Sequence, residues 1–311
     1  MRLGTGVLSA ALSAALLLAW GLTTAGAANG GVGCGSVITE DTVLTQDLLD
    51  CENGLIVSAP QVTLNLGGHQ IVGRSVGEGV RVAAPGVAIE GGAIEGFGVG
   101  VALTRESSGS LTSNLEIASN GTGIGSLPPG RSGGHRIENS TIHHNGTGVA
   151  VIGAAEVEIV GNRILHNAGA GLFTVLADGS LVQGNQFRGN GSDGAQLVES
   201  TALVLDNTFS GNGRHGLWVN DQCFAGTTFY RVGSNLANGN AGLGLNVDIA
   251  CPSPPFPPGL LDNLDAGGNA ADRNGDPREC TVVQCALNRG QAKKFAPLPL
   301  TPVPVRSQQD N

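Results

Sequence analysis

Carboxylates recur at matching places in two neighbouring copies of a repeated sequence. Gly194 and Gly216 open these copies, and Glu199 and Asp221 each follow their glycine by five residues. If the copies form adjacent strands, matching places lie about 5 Å apart. Two carboxyl groups at that separation suit the acid and the nucleophile of a retaining glycosidase. The pair therefore predicts a glycosidase or polysaccharide lyase site.

The same two copies carry other side chains that could hold a sugar. Asp193 and His215 directly precede the two glycines, and we count them among the catalytic candidates. The second residue after each glycine points outward if the segment is a strand. The substrate-binding candidates in or beside this outward row are Trp218, Gln196, Phe173 and Arg214. The alternative interpretation is a solvated edge whose charges only keep the protein soluble.

These residues become neighbours only if the repeated copies stack on one another, so the repeat itself must be established. One series of asparagines recurs at steps of 22 to 28 residues: Asn120, Asn145, Asn167, Asn190, Asn212 and Asn240. A second series precedes it by five residues: Asn162, Asn185, Asn207 and Asn235. Each copy holds three short alternating apolar runs, all too short for a helix. We therefore predict an all-β parallel β-helix with three-strand coils of about 22–25 residues; a leucine-rich repeat is the alternative.

The repeated asparagines have a structural explanation. Asparagine tolerates the left-handed backbone conformation of a bend. Its amide can also donate to and accept from the asparagine one coil away, which forms a ladder. We therefore expect the asparagines of each copy to meet those of the coils above and below.

The start of the chain predicts export. Arg2 precedes an apolar run over 7–22, and a small-residue cleavage motif ends near Ala27. The protein should therefore be secreted or periplasmic, without a membrane span. Its formal charge of −9 argues against binding nucleic acid through phosphates. Six cysteines in an exported chain predict disulfides whose connectivity stays open, and we expect nearest neighbours to pair: Cys34–Cys51, Cys223–Cys251 and Cys280–Cys285.

Two patterns raise the question of a metal. His144 and His166 occupy the same place in consecutive copies, but no cysteine or carboxylate joins them there. Residues 272–276 read DRNGD, which begins like a calcium loop but lacks the glycine and the final glutamate of that motif. We therefore predict surface histidines, a structural turn, and no metal or cofactor; a structural calcium ion is the one addition that DRNGD suggests.

Two segments resemble a known family. Residues 34–73, CGSVITEDTVLTQDLLDCENGLIVSAPQVTLNLGGHQIVG, resemble the opening of bacterial secreted right-handed parallel β-helix proteins of the pectin-lyase-like superfamily. These proteins carry carbohydrate-binding and sugar-hydrolase type repeats. Residues 268–285, GNAADRNGDPRECTVVQC, resemble their closing segment. The resemblance implies a right-handed solenoid and an N-terminal cap closed by Cys34 and Cys51.

The organisation and function follow as expectations. We predict a signal peptide at 1–27, a cap at 28–51, a β-helix with its closing segment at 52–285, and a Pro-rich disordered tail at 286–311. Two inserts, 126–134 and 220–231, should bulge out as loops. A monomer that binds an extracellular polysaccharide along its solenoid face is the leading prediction. The alternatives are a polysaccharide lyase or glycosidase, and a structural or adhesive surface protein without catalysis.

Overall fold

The computed structural model describes residues 31–126, 132–221, 230–249 and 264–286. The chain divides into two compact units, Met1–Gly31 and Val32–Asn311. Every described strand lies in the second unit. The predicted signal peptide, most of both predicted inserts, the pair Cys223 and Cys251, and the predicted tail beyond 286 lie outside the described residues. Within the described part, no helix combines the length and apolar character needed to cross a bilayer.

The strands are short and follow one another in a regular order. The first half of the chain holds β1 (Val37–Ile38), β2 (Thr42–Val43), β3 (Leu48–Cys51), β4 (Leu55–Val57), β5 (Thr63–Asn65), β6 (Gln70–Gly73), β7 (Glu78–Val82), β8 (Ala88–Glu95), β9 (Val99–Leu103), β10 (Leu111–Ala118), β11 (Thr122–Ser126), β12 (Arg136–Glu138), β13 (Thr141–His143) and β14 (Thr147–Ile152). The second half holds β15 (Glu158–Val160), β16 (Arg163–Leu165), β17 (Leu172–Val175), β18 (Ser180–Gln183), β19 (Gln186–Arg188), β20 (Ala195–Val198), β21 (Ala202–Leu205), β22 (Thr208–Ser210), β23 (Leu217–Asp221), β24 (Tyr230–Gly233), β25 (Leu236–Asn238), β26 (Leu245–Ile249), β27 (Asp265–Gly267), β28 (Ala270–Asp272) and β29 (Cys280–Thr281).

These strands form three parallel stacks. The first sheet joins eleven described strands in the order β1-β4-β7-β9-β11-β14-β17-β20-β23-β26-β29. The second sheet runs from β2 through β5, β12 and β15 to β27, and the third from β3 through β6, β13 and β16 to β28. Strands β8 and β10 belong to both, because each runs through the bend between them. The predicted parallel β-helix is confirmed.

The core is a set of apolar rows along the solenoid axis. In the third sheet one row runs Ile117, Ile142, Ile164, Phe187, Phe209 and Ala237, with each residue in register with the next. All six side chains are fully buried. The rings of Phe187 and Phe209 stack with centroids 5.1 Å apart. Each coil therefore buries apolar surface against its neighbours, which is the main stabilising contribution.

Two asparagine ladders line the bends of the coils. One runs Asn120, Asn145, Asn167, Asn190, Asn212, Asn240 and Asn274. The other runs Asn162, Asn185, Asn207, Asn235 and Asn269. At Asn190 the amide nitrogen donates to Oδ1 of Asn212 at 3.0 Å and to the Ile164 carbonyl at 3.2 Å. Because its Oδ1 accepts two bonds from Asn167, this buried amide is fully satisfied.

One part of the expected reason for the asparagines is wrong. The left-handed conformation belongs to the residue before each ladder asparagine, such as Ser119, His144, Gly189 or Asp206. The ladder asparagines themselves are not among the residues with positive φ. The preceding residue turns the chain, and the asparagine then points inward where its amide can bridge two coils. Each of the two asparagine series forms a ladder, and the sequence repeat missed their last members, Asn269 and Asn274.

A glycine lies at or next to the start of the first-sheet strands from β4 to β26, because the coils approach closely there. A Cβ on Gly194 would lie 2.5 Å from the carbonyl oxygen of Gly216 and 2.8 Å from Nδ2 of Asn212. Real side chains do not tolerate such contacts. The recurring glycine is therefore required chiefly by the backbone carbonyl of the next coil, and at Gly194 also by the ladder asparagine Asn212.

Disulfides close both ends of the described solenoid. Cys34 and Cys51 are joined, with Cα atoms 5.4 Å apart, which confirms the expected N-terminal pair. Strands β1, β2 and β3 already pair with the next coil, so the described part of the predicted cap is itself built as a coil. Cys280 and Cys285 are joined as well. The pairing of Cys223 with Cys251 lies outside the described residues and stays a prediction.

Candidate functional site

The outward row of the first sheet brings the predicted binding residues together. Phe173 of β17 is in register with Gln196 of β20, and Gln196 is in register with Trp218 of β23. All three side chains are half-buried on the outer face of the sheet. Asn246 of β26 continues the row next to Trp218. The sequence analysis missed Asn246, although its place two residues after Gly244 follows the same counting rule.

A buried carboxylate fixes the charged groups beside this row. Asp193 is fully buried. Its Oδ1 accepts the backbone N–H of His215 at 2.9 Å, and its Oδ2 lies 3.4 Å from Nη1 of Arg214. The Arg214 guanidinium lies over the Trp218 ring, 4.1 Å from the centroid. Asp193 therefore anchors an arginine that stacks on the tryptophan, which is a positioning role.

His215 is held as a neutral hydrogen-bond donor. Its Nδ1 accepts the backbone N–H of Leu243 at 2.9 Å, so the proton of the neutral ring lies on Nε2. Burial lowers the pKa of His215, which favours this neutral form. Nε2 lies 3.4 Å from Nδ2 of Asn246, in the outward row; because both nitrogens are donors in this tautomer, they do not hydrogen-bond each other. His215 can thus donate a hydrogen bond from Nε2, but the ring has no lone pair there to act as a general base.

The structure places Glu199 and Asp221 side by side but buries both. Val198 and Asn220 are in register, and the next residue of each strand is the carboxylate. Glu199 is 7% exposed and Asp221 is 0% exposed, so neither lies on the outer face with Trp218. Glu199 lies in the bend after β20 with a left-handed φ of 46°, whereas Asp221 ends β23 at an inward position of the strand's alternation. Their catalytic role stays a prediction, and it would require the corner to open.

The two patterns considered for metals have other partners. The rings of His144 and His166 stack with centroids 5.8 Å apart, as expected for equal places in adjacent coils. Asp276 bonds Arg278, which lowers the pKa of this carboxyl to about 2. Asp272 bonds Arg273. In the described ranges, no three histidine, cysteine or carboxylate groups come together in a way that could hold a metal ion.

Comparison with known proteins supports the fold. The family model described as the right handed beta helix region matches residues 130–251. A crystal structure of a mutant of the periplasmic alginate epimerase AlgG is 17% identical, with a TM-score of 0.53, covering 80% of this chain and 70% of that chain. The mannuronan C-5 epimerase AlgE4 A-module of Azotobacter vinelandii is 14% identical, with a TM-score of 0.48, covering 82% of this chain and 79% of that chain.

A third solved structure is the catalytic unit of an α-1,3-glucanase from Streptomyces thermodiastaticus. It is 15% identical, with a TM-score of 0.40, covering 70% of this chain and 55% of that chain. No curated protein matches the chain in sequence. At these identities the likeness concerns the fold alone.

The disulfides and the stacked strands agree with the predicted export and the predicted fold. Two disulfides among the described residues are typical of an oxidising compartment, which agrees with the predicted export. The three parallel stacks, the ladders and the family model agree with the resemblance drawn from residues 34–73. The chain is a parallel β-helix protein, and its residues 130–251 match the family model described as the right handed beta helix region.

Proposed function

We propose that this protein binds an extracellular polysaccharide along the outer face of its first sheet. The observation that carries the proposal is the in-register row of Phe173, Gln196 and Trp218. Aromatic rings offer apolar faces to sugar rings, and the amide between them can donate and accept hydrogen bonds. A linear polymer would meet one side chain of the row in each coil it crosses.

The groups around Trp218 support a prepared binding surface. Arg214 covers one face of the indole and is itself fixed by the buried Asp193, so little side-chain freedom is lost when a ligand binds. A sugar would contact the other face or the edge of the indole. The Nε2–H of His215 and the amide of Asn246 add hydrogen-bonding groups at the next coil.

A glycosidase or lyase is the alternative for the same face. The adjacency of Glu199 and Asp221 favours it, since two close carboxylates suit acid and nucleophile roles. Their burial favours the binding protein, because a polymer on the outer face does not reach them. A structural or adhesive protein would bind no soluble glycan through this row.

The test is binding of the full secreted protein to neutral and uronate polysaccharides by affinity electrophoresis. With a polymer that the wild type binds, Trp218→Ala and Phe173→Ala should each weaken binding at least about fivefold, as for a central contact residue. Leu176→Ala removes an exposed apolar side chain next to β17 but outside the row, and should bind as the wild type does.

The outcomes separate the three functions. Unchanged binding by Trp218→Ala would contradict the proposed face. Release of reducing ends or unsaturated products, abolished by Glu199→Gln with Asp221→Asn, would establish the enzyme. If none of the polymers retards the wild-type protein, the protein does not bind these glycans, and the structural or adhesive role is supported instead.

A further inference from the structure

A groove lies at the corner between the second and third sheets, away from the outer face of the first sheet that carries the Trp218 row. It has a volume of about 480 Å³ and is lined by residues of four successive coils, from Gly68 to Thr141. Four coils span about 14 Å along the solenoid axis at the inter-strand spacing of parallel strands. The volume lies within the usual range of small-molecule sites.

The groove exists because small residues interrupt a row of larger ones. On the third sheet Ala93 stands in register between Gln70 and Glu116, so its methyl group leaves a depression between two long side chains. Gly68 leaves the neighbouring space open, since no heavy atom lies within 4 Å of the position a Cβ would take. The depression is thus set by side-chain size and by the register of the coils.

The rim of the groove carries hydrogen-bonding groups held in place by the backbone. Asn114 and Asn139 take left-handed φ values of 53° and 49° at the corner, and both side chains are exposed. Glu116 follows Asn114 by two residues and lies in register with Ala93 and Thr141, and His143 contacts it at 3.0 Å between Nε2 and Oε1. Two amides, a carboxylate and the Thr141 hydroxyl therefore offer both donors and acceptors to one ligand.

The chemistry of the lining selects the ligand. Glu116 is the one charged side chain in the lining, so the groove disfavours an anionic polymer. The density of amide and hydroxyl groups disfavours an apolar ligand, which would leave them unpaired. We propose that this groove is a second saccharide site, which takes a neutral oligosaccharide of two or three sugar units and acts independently of the Trp218 row.

The experiment titrates the full secreted protein with laminaritriose, cellotriose, maltotriose and trigalacturonic acid by calorimetry. At least one neutral trisaccharide should bind. Ala93→Leu fills the depression and should weaken that binding more than about tenfold, whereas Asn139→Ala removes hydrogen bonds and should weaken it about fivefold. Thr208→Leu adds a larger side chain in the same outward row beyond the groove, and should leave binding unchanged.

Thermal melting of each variant checks that the solenoid is intact, and binding is compared between intact variants. The proposal is overturned if no neutral trisaccharide binds at millimolar concentration, if Ala93→Leu binds as tightly as the wild type, or if trigalacturonic acid binds more tightly than the neutral sugars. Loss of trisaccharide binding in Trp218→Ala would assign the ligand to the first-sheet row instead. Failure of the first-sheet proposal would leave these results unaffected.

Discussion

His135 should make the protein less stable in mild acid. Its side chain is 1% exposed and stands in an inward row directly before β12. Its Nε2 lies 2.9 Å from the Ser132 hydroxyl, and its Nδ1 meets no hydrogen-bonding partner within the described part of the chain. Burial lowers the pKa of His135 from 6.5 to about 4. The folded protein therefore keeps this ring neutral at a pH where the unfolded chain protonates it.

The direction and size of the effect follow from that difference. Because the folded pKa lies below the unfolded value, stability is complete above about pH 6.5 and is lost as the pH falls towards 4. A pKa lowered by about 2.5 corresponds to about 3 kcal/mol once the pH is below 4, and to about 2 kcal/mol at pH 5. That is a large fraction of the stability of an ordinary domain.

The perturbation is His135→Val, which matches the buried Val157 at the same place in the next coil. The free energy of unfolding is measured by urea titration at several pH values between 4 and 7.5 for the wild type and the variant. The free energy of unfolding of the variant, relative to that of the wild type, should rise by about 2 kcal/mol when the pH is lowered from 7 to 5. His135→Gln keeps a polar side chain without this titration and should show the same shift. Parallel pH profiles for all three proteins would refute the assigned protonation state.

The remaining predictions concern the solenoid. Asn190→Ala should lower the free energy of unfolding by about 1–3 kcal/mol, because two coils lose amide partners; Asn53→Ala, an exposed asparagine, should melt within a degree or two of the wild type. Equal shifts for these two variants would contradict the ladder's contribution. Gly194→Ala should cost about 3 kcal/mol, since its Cβ meets backbone 2.5 Å away; an unchanged melting temperature would show that the coils can separate there. Peptide mapping without reduction should recover Cys34 linked to Cys51, and a peptide linking Cys34 to any other cysteine would contradict the N-terminal closure.

The sequence determined the coil and its register. In a parallel β-helix, residues one repeat apart become neighbours, so equal distances from a recurring glycine identify residues that stack. Phe173, Gln196 and Trp218 could therefore be placed in one row before any coordinates. Counting from the repeat no longer identified stacked residues where the spacing between coils lengthened to 34 residues. Asn269 and Asn274 were missed for this reason.

The tertiary structure decided what each position can do. Glu199 lies in a bend after β20 with a left-handed φ that a count of residues does not reveal, whereas the burial of Asp221 follows from the alternation of β23. The protonated nitrogen of His215 is set by a backbone N–H from the following coil, at Leu243. The groove beside Glu116 arises from the difference in side-chain size between neighbours of three coils. Periodicity fixes which residues meet, whereas burial, hydrogen bonding and shape depend on the three-dimensional packing around them.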